Sequence, residues 1–96
     1  MKPSLALQQH RTAIRQIVAS HRARNPRIFG SVLRGEDEAN SDLDLLVEPL
    51  QGATLFDLGA IQIELEELLG VAVDVLTAGD LPIRFRDSVL REAVAV

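Results

Sequence analysis

The sequence contains no cysteine, tyrosine or tryptophan, and it has only three phenylalanines among its 96 residues. Without cysteine the chain can form neither a disulfide nor a zinc–thiolate site. Proline and glycine are also scarce, at four and six residues, while 47% of the residues are hydrophobic. These proportions exclude a low-complexity or disordered sequence and predict a globular protein, for which we expect a cytoplasmic location.

Long hydrophobic runs and an excess of basic residues are missing as well. No apolar segment approaches the roughly 20 residues of a membrane-spanning helix, and the start MKPSLALQQHR has no secretory-signal pattern. The formal net charge is −4, whereas binding to nucleic-acid phosphates requires a basic surface. We therefore expect no membrane insertion and no direct nucleic-acid binding. Residues 1–96 are expected to form a single small domain, without a second substrate-binding domain.

Hydrophobic periodicity predicts the order αβ(turn)βαβα. Long helices are expected over residues 4–24, 55–70 and 80–95, and one helical turn over 31–34. Strands are expected over residues 27–30, 43–48 and 71–76. Asn25-Pro26 is predicted to end the first helix, and Thr54 with Asp57 to form a capping box at the next. The pattern predicts an α/β (α+β) fold with a small mixed three-stranded sheet flanked by helices.

Three aspartates interrupt the apolar pattern of the later strands. Asp42 and Asp44 are two residues apart, so their side chains should share one face of a strand, roughly 6.6 Å apart. Asp74 lies inside the strand VAVDVL, where an unpaired buried anion would be costly. If the two strands are neighbours, the three carboxylates meet, and a hard cation such as Mg²⁺ would relieve their repulsion. The sequence therefore predicts a magnesium site.

The motif GSVLRG follows the first predicted strand. Gly30 removes the side chain where a phosphate would approach the backbone, and Ser31 can donate to phosphate oxygens. Arg34 can brace a phosphate, or it is simply a surface charge at a turn. For Gly30 to act together with Asp42, the first two strands must be antiparallel neighbours. The motif thus predicts a phosphate-binding loop beside the metal site.

Together these motifs resemble the minimal nucleotidyltransferases of the DNA polymerase β superfamily. Small members of that family read G-S-x-x-R-G and then S-D-x-D, followed by an aspartate on a later strand. The matching residues are Gly30-Ser31, Arg34-Gly35, Ser41-Asp42, Asp44 and Asp74. The resemblance covers nearly the whole chain.

The resemblance implies a nucleotidyltransferase fold and the transfer of a nucleoside monophosphate, AMP from ATP, to a hydroxyl group with two Mg²⁺ ions. The implied catalytic and metal-binding residues are Asp42, Asp44 and Asp74. The first two would be metal ligands, and the third a further ligand or the general base. The implied nucleotide-binding residues are Gly30, Ser31, Arg34 and Ser41. The low aromatic content leaves the base preference open.

The resemblance also implies a partner. Small members of the family are commonly encoded beside a HEPN-domain RNase toxin, and as antitoxins they add AMP to a tyrosine of the toxin and bind it. This predicts a hetero-oligomer with ATP as substrate. Two alternatives stay open: an antitoxin that acts by binding alone, and an enzyme that modifies a small molecule such as an aminoglycoside. The lack of a second domain is an argument against the latter.

Two other segments allow both a structural and a functional interpretation. The run Glu36-Asp37-Glu38 is interpreted as a solvated acidic loop rather than part of the metal site. In the last helix, an apolar stripe either covers the sheet or presents a surface to a partner. The residues of that stripe are Phe85, Val89, Leu90 and Val94.

Overall fold

A mixed four-stranded sheet lies at the centre of the structure, a computed structural model that describes residues 1–96. Its strands are β1 (Ala23–Phe29), β2 (Leu43–Pro49), β3 (Val73–Leu76) and β4 (Val94–Ala95). The spatial order is β3-β2-β1-β4, with β1 antiparallel to both β2 and β4, and β2 parallel to β3. The predicted fold class and the antiparallel pairing of the first two strands are confirmed. The predicted number of three strands is wrong, because the chain end adds a fourth.

Five helices flank the sheet. They are α1 (Pro3–Gln9), α2 (Arg11–Ser20), α3 (Ser31–Arg34), α4 (Leu55–Leu69) and α5 (Ile83–Glu92), with a short 3-10 helix at Ala78–Asp80. The main core joins Ile14 of α2 and Ile61 of α4 to Leu43, Leu45 and Val47 of β2, so α2 and α4 share one face. Leu46 points to the other face and is fully buried, where β2 contacts the 3-10 helix that leads towards α5. None of these helices combines the length and hydrophobicity needed to span a membrane.

The N-terminal segment differs from the single helix predicted for residues 4–24. The helix breaks at His10, whose φ of −130° lies outside the helical range, and α2 ends at Ser20. Pro26 does not follow a helix but lies within β1, where the pairing with β2 is irregular between Arg24 and Arg27. Proline lacks a backbone donor and is tolerated in a strand at such an irregularity, and Asn25 accepts the required φ of +52°.

The C-terminal segment also differs from its prediction as a helix extending to residue 95. Helix α5 ends at Glu92, and β4 pairs with β1 through Ile28↔Val94 and Arg27↔Ala95. In addition, Val96 N donates to Pro26 O at 2.9 Å. These bonds satisfy backbone groups at the outer edge of β1 that would otherwise be unpaired. Local periodicity does not indicate so short a strand.

Helix α4 begins and ends as predicted. Thr54 Oγ1 accepts from Phe56 N at 3.2 Å, and Thr54 N donates to Asp57 Oδ2 at 2.9 Å, which forms the capping box. Gly70 ends the helix with a left-handed φ of +69°. Among its apolar residues, Ile61 and Leu65 are fully buried, whereas Leu55 at the start of the helix is 84% exposed.

The acidic loop before β2 contains one buried carboxylate. Asp37 is only 6% exposed, and its Oδ2 accepts a hydrogen bond from Ser4 N at 2.9 Å. This bond satisfies a free amide in the first turn of α1 and lowers the pKa of Asp37. Interpreting the whole loop as solvated is therefore wrong at Asp37, which fastens the N-terminal helix to the loop.

Replacing Asp37 with alanine should destabilise the protein by about 1–3 kcal/mol, because the Ser4 amide loses its charged acceptor. A carboxyl whose pKa is lowered on folding stabilises the protein above its unfolded pKa and loses that effect as pH falls through its folded pKa. The difference between wild type and Asp37→Ala should therefore shrink in acid. Urea unfolding at several pH values measures both effects. Glu38→Ala, an exposed neighbour, is the control, and equal losses from both variants would contradict the assignment.

Candidate active site

The sheet brings two of the three predicted aspartates side by side. Asp44 of β2 and Asp74 of β3 are directly paired on adjacent parallel strands. Asp42 precedes Asp44 by two residues, while Leu43 and Leu45 between and after them are fully buried on the opposite face. Asp44 is half-buried, whereas Asp42 and Asp74 are exposed. The three carboxylates thus lie on one open face, and the expectation that Asp74 would be the buried anion is wrong.

The arrangement of the three carboxylates shifts the pKa of the half-buried Asp44. Burial, as the largest cause, together with the negative charges of Asp74 and Asp42, raises the pKa of Asp44 to about 6. Arg34 opposes these effects, which indicates that its guanidinium lies close enough to stabilise the ionised form. Carboxylates that repel one another form an environment in which a bound metal ion is stabilised.

The raised pKa of Asp44, about 6, predicts a pH dependence of stability. A carboxyl whose pKa rises on folding favours the folded state fully below its unfolded pKa, and this contribution is lost as pH rises through the folded pKa. Asp44→Asn removes the titration. Its melting temperature relative to wild type should therefore increase between pH 5 and pH 7 in metal-free buffer. A difference that stays constant over this range, measured by thermal unfolding, would contradict the account.

Gly30 lies directly against Asp44. The β1–β2 register pairs Phe29 with Asp44, which puts the next residue, Gly30, at the carboxylate. A Cβ on Gly30 would stand 2.3 Å from Asp44 Oδ2. Its backbone angles, φ +76° and ψ −150°, also fall in a region that is nearly restricted to glycine. The predicted proximity of the glycine motif to the aspartates is therefore confirmed.

The other residues of the predicted nucleotide site, Ser31, Arg34 and Ser41, make different contacts. Ser31 follows Gly30 as the first residue of α3. Arg34, at the end of that helix turn, donates from Nε to Glu36 Oε2 at 3.1 Å, and its side chain is 57% exposed. Ser41 Oγ accepts from Glu38 N at 2.8 Å and so holds the acidic loop together. Contacts of these side chains with a nucleotide remain predictions.

The aspartates fit a magnesium ion that is completed by substrate. No group of three or more histidine, cysteine, aspartate or glutamate side chains is positioned to hold a metal ion by itself. Mg²⁺, however, usually takes only one or two carboxylates and completes its shell with water and phosphate oxygens. The donors here are oxygen atoms in mutual repulsion on an open face. Asp42 and Asp44 as ligands, and Asp74 as a further ligand or the general base, remain predictions.

Two residues that the sequence analysis did not assign to the site lie on the same sheet face as the aspartates. Phe29 is the cross-strand partner of Asp44, and Arg27 is that of Leu46, so both side chains point to this face. Arg27 Nε is buried without a hydrogen-bond partner, and its Nη2 is 4.0 Å from Glu48 Oε2. Phe29 directly precedes Gly30 and alternates with Ile28, which packs in the core on the other face, so strand alternation would have indicated Phe29. The placement of Arg27 depends on the strand register, which the sequence does not state.

Comparison with known proteins identifies the family of the chain. The family model for the nucleotidyltransferase domain matches residues 7–96. A protein of Methanocaldococcus jannaschii, provisionally named a protein adenylyltransferase, is 44% identical over 80 residues, which cover 83% of this chain and 86% of that protein. The protein adenylyltransferase MntA of Thermococcus cleftensis is 38% identical over 69 residues, covering 72% of this chain and 70% of the relative.

Solved structures give the same assignment. One that was provisionally identified as a minimal nucleotidyltransferase superposes with a TM-score of 0.86 at 44% identity, over 97% of this chain and 95% of that one. A chain from the crystal structure of a toxin–antitoxin with AMP-PNP shares the fold, with a TM-score of 0.73 at 17% identity over 88% and 69% of the two chains. The chain therefore belongs to the nucleotidyltransferase domain family, and within it the chain matches the minimal nucleotidyltransferases.

Proposed function

We propose that this nucleotidyltransferase is a Mg²⁺-dependent protein adenylyltransferase that transfers AMP from ATP to a hydroxyl group of a partner protein. We further propose that the partner is a HEPN-domain RNase toxin, that the acceptor is one of its tyrosines, and that the transfer neutralises the toxin. The observation that carries the proposal is the direct pairing of Asp44 with Asp74 beside Gly30 on an open sheet face.

The chemistry of this site suits phosphoryl transfer to a hydroxyl. Mg²⁺ bound there would neutralise the charge that develops on the triphosphate during in-line displacement. The acceptor oxygen forms a bond to the α-phosphorus while the bond to the leaving pyrophosphate breaks. The proton of the hydroxyl has to be removed, and Asp74, exposed at the edge of the carboxylate group, is the residue proposed to accept it.

The residues around the carboxylates have separate tasks in this proposal. Gly30 leaves space for the triphosphate to approach the backbone, and Ser31 donates to a phosphate oxygen. Arg34, which is exposed and close enough to Asp44 to affect its pKa, stabilises a phosphate by charge. Ser41 is proposed to assist from the loop whose shape it stabilises.

A protein acceptor is supported by the relatives and by the openness of the site. Two relatives at 44% and 38% identity are named protein adenylyltransferases. Asp42 and Asp74 are exposed rather than enclosed, so a large acceptor can reach them directly. The fold is also shared with a chain of a toxin–antitoxin structure. The identification of the toxin as a HEPN RNase rests on the family resemblance of the motifs.

The proposal is tested by intact-mass spectrometry of the protein encoded by the adjacent gene. That protein is incubated with this chain, Mg²⁺ and each nucleoside triphosphate in turn, and its RNase activity is measured before and after. We expect a mass gain of one or more AMP groups with ATP, located on a tyrosine by peptide sequencing, and a loss of RNase activity.

The Asp44→Asn variant is the control for catalysis. The modification should disappear with this variant, while complex formation between the two proteins should persist. If the partner stays unmodified yet its RNase activity is blocked equally by both forms, neutralisation occurs by binding alone. If the mass gain appears with another nucleotide, the assignment to AMP is wrong although transfer is established.

A further inference from the structure

Helix α4 is apolar on two opposite sides. Ile61 and Leu65 are fully buried against the sheet, whereas Phe56 is 90% and Ile63 is 59% exposed. Phe56 and Ile63 are seven residues apart, close to two helical turns, so they form one stripe that faces away from the sheet. An apolar stripe on a helix normally packs against another surface. We call this stripe, which runs from Phe56 to Ile63, the outer face of α4.

The outer face of α4 is complementary to itself. Gly59 and Ala60 lie at its middle, and a Cβ added to Gly59 would meet no atom within 4 Å. A two-fold axis between these two small residues would allow two antiparallel copies of α4 to approach closely. Phe56 and Ile63 are equally far from this midpoint along the helix. The axis therefore sets Phe56 against the partner's Ile63, and Ile63 against the partner's Phe56.

The charges of α4 favour the same arrangement. The helix contains Asp57, Glu64, Glu66 and Glu67 and no basic residue. In an antiparallel pair, the exposed Glu67 lies at the N-terminal end of the partner's α4, where the helix dipole favours a negative charge. The positively charged Arg22 also lies near that end, because its Nη1 donates at 3.0 Å to the carbonyl oxygen of Gly52, two residues before the N-cap Thr54. A parallel pair would instead bring the acidic ends together.

We propose that a second copy of this chain docks on the outer face of α4 and forms a symmetric dimer with antiparallel α4 helices. A standard interface takes about 800 Å² from each partner, which is roughly one seventh of the 5726 Å² surface of the chain. Leu55 and Leu50, 84% and 41% exposed near the start of α4, extend the apolar area. The aspartates lie on the opposite face of the sheet, so both sites stay open. The proposed dimer does not depend on which molecule accepts the AMP group.

Sedimentation equilibrium over a concentration series tests the proposal. The wild-type mass should rise towards twice the 10.5 kDa of one chain. Phe56→Glu and Ile63→Glu should each raise the dissociation constant at least about tenfold, since each puts a charge into the apolar centre. Both side chains are exposed in the single chain, so at concentrations too low for the dimer the melting temperature should hardly change, whereas at dimer-forming concentrations it should fall below that of wild type. Ile83→Glu is the matched control, because Ile83 is 83% exposed but lies on α5, and it should leave the dimer intact.

Cross-linking tests the geometry. The chain has no native cysteine, so a single Ala60→Cys substitution next to the two-fold axis should give a disulfide-linked dimer under mild oxidation. Ile83→Cys should remain monomeric. A mass of 10.5 kDa at every concentration would overturn the proposal and leave the outer face for another protein. A dimer that Ile83→Glu disrupts and Phe56→Glu does not would overturn it as well.

Discussion

Asp44→Asn should lower the rate of AMP transfer by about 1,000-fold or more, which corresponds to about 4 kcal/mol of transition-state stabilisation. Asp44 is central to the carboxylate group, because it pairs with Asp74 across the strands and lies two residues from Asp42 on the same face. An amide keeps the shape of the side chain but removes the charge that would hold Mg²⁺. The rate is measured as pyrophosphate release in the presence of the acceptor protein.

The same variant should be at least as stable as wild type at pH 7 without metal. The pKa of Asp44 is raised to about 6 by burial and by the neighbouring carboxylates, so its ionisation opposes folding. Loss of activity together with unchanged or increased stability distinguishes a catalytic residue from a structural one. Mg²⁺ should raise the melting temperature of wild type and not of the variant. Asp87→Asn, at an exposed aspartate of α5, is the control and should retain full activity.

Gly30→Ala should reduce transfer on the order of 100-fold and destabilise the protein by about 1–3 kcal/mol. The new Cβ would lie 2.3 Å from Asp44 Oδ2 and 3.2 Å from Asp44 Cγ, so the carboxylate has to move. The backbone at φ +76° and ψ −150° adds strain for any residue with a side chain. Activity falls because the displaced group is the one that organises the site. Urea unfolding and pyrophosphate release measure the two effects.

Gly70→Ala is a control that introduces a side chain at a positive φ without a steric clash. Gly70 has a similar φ of +69°, but its added Cβ would meet no atom within 4 Å. It should therefore lose some stability and little activity. The stability cost of Gly30→Ala should also be smaller in an Asp44→Ala background, because the contacted carboxylate is gone. An equal cost in both backgrounds would show that the collision with Asp44 does not contribute.

Local sequence patterns were sufficient to predict the start of α4 and the alternation of side chains along β2, both in the middle of the chain. Thr54 and Asp57 define the start of α4, because a capping box depends only on residues three apart. Alternation along β2 put Asp42 and Asp44 on one side and Leu43 and Leu45 on the other, since a strand has a period of two whatever its neighbours are. The aspartate and glycine motifs could be recognised for the same reason.

Long-range pairing decided the two ends of the chain. Residues 94–95 became a strand because β1 had an unsatisfied edge, and residues 23–26 joined β1 despite Pro26 because β2 supplied a partner for the rest of the strand. Asp37 lies in a loop but is buried, because its carboxylate accepts a hydrogen bond from the amide of Ser4, which is remote in sequence. No periodicity within a short window contains these contacts.

The sequence by itself predicted which residues carry the chemistry, and it determined which side of its strand each aspartate of the Asp-x-Asp motif takes. Only the tertiary structure decided that Asp44 and Asp74 are paired in register, that Asp44 rather than Asp74 is half-buried, and that Gly30 lies against Asp44. It also decided that α4 leaves Phe56 in solvent. The physical reason is that burial and mutual repulsion depend on distances between segments remote in sequence, whereas side-chain alternation and capping depend on neighbours along the chain.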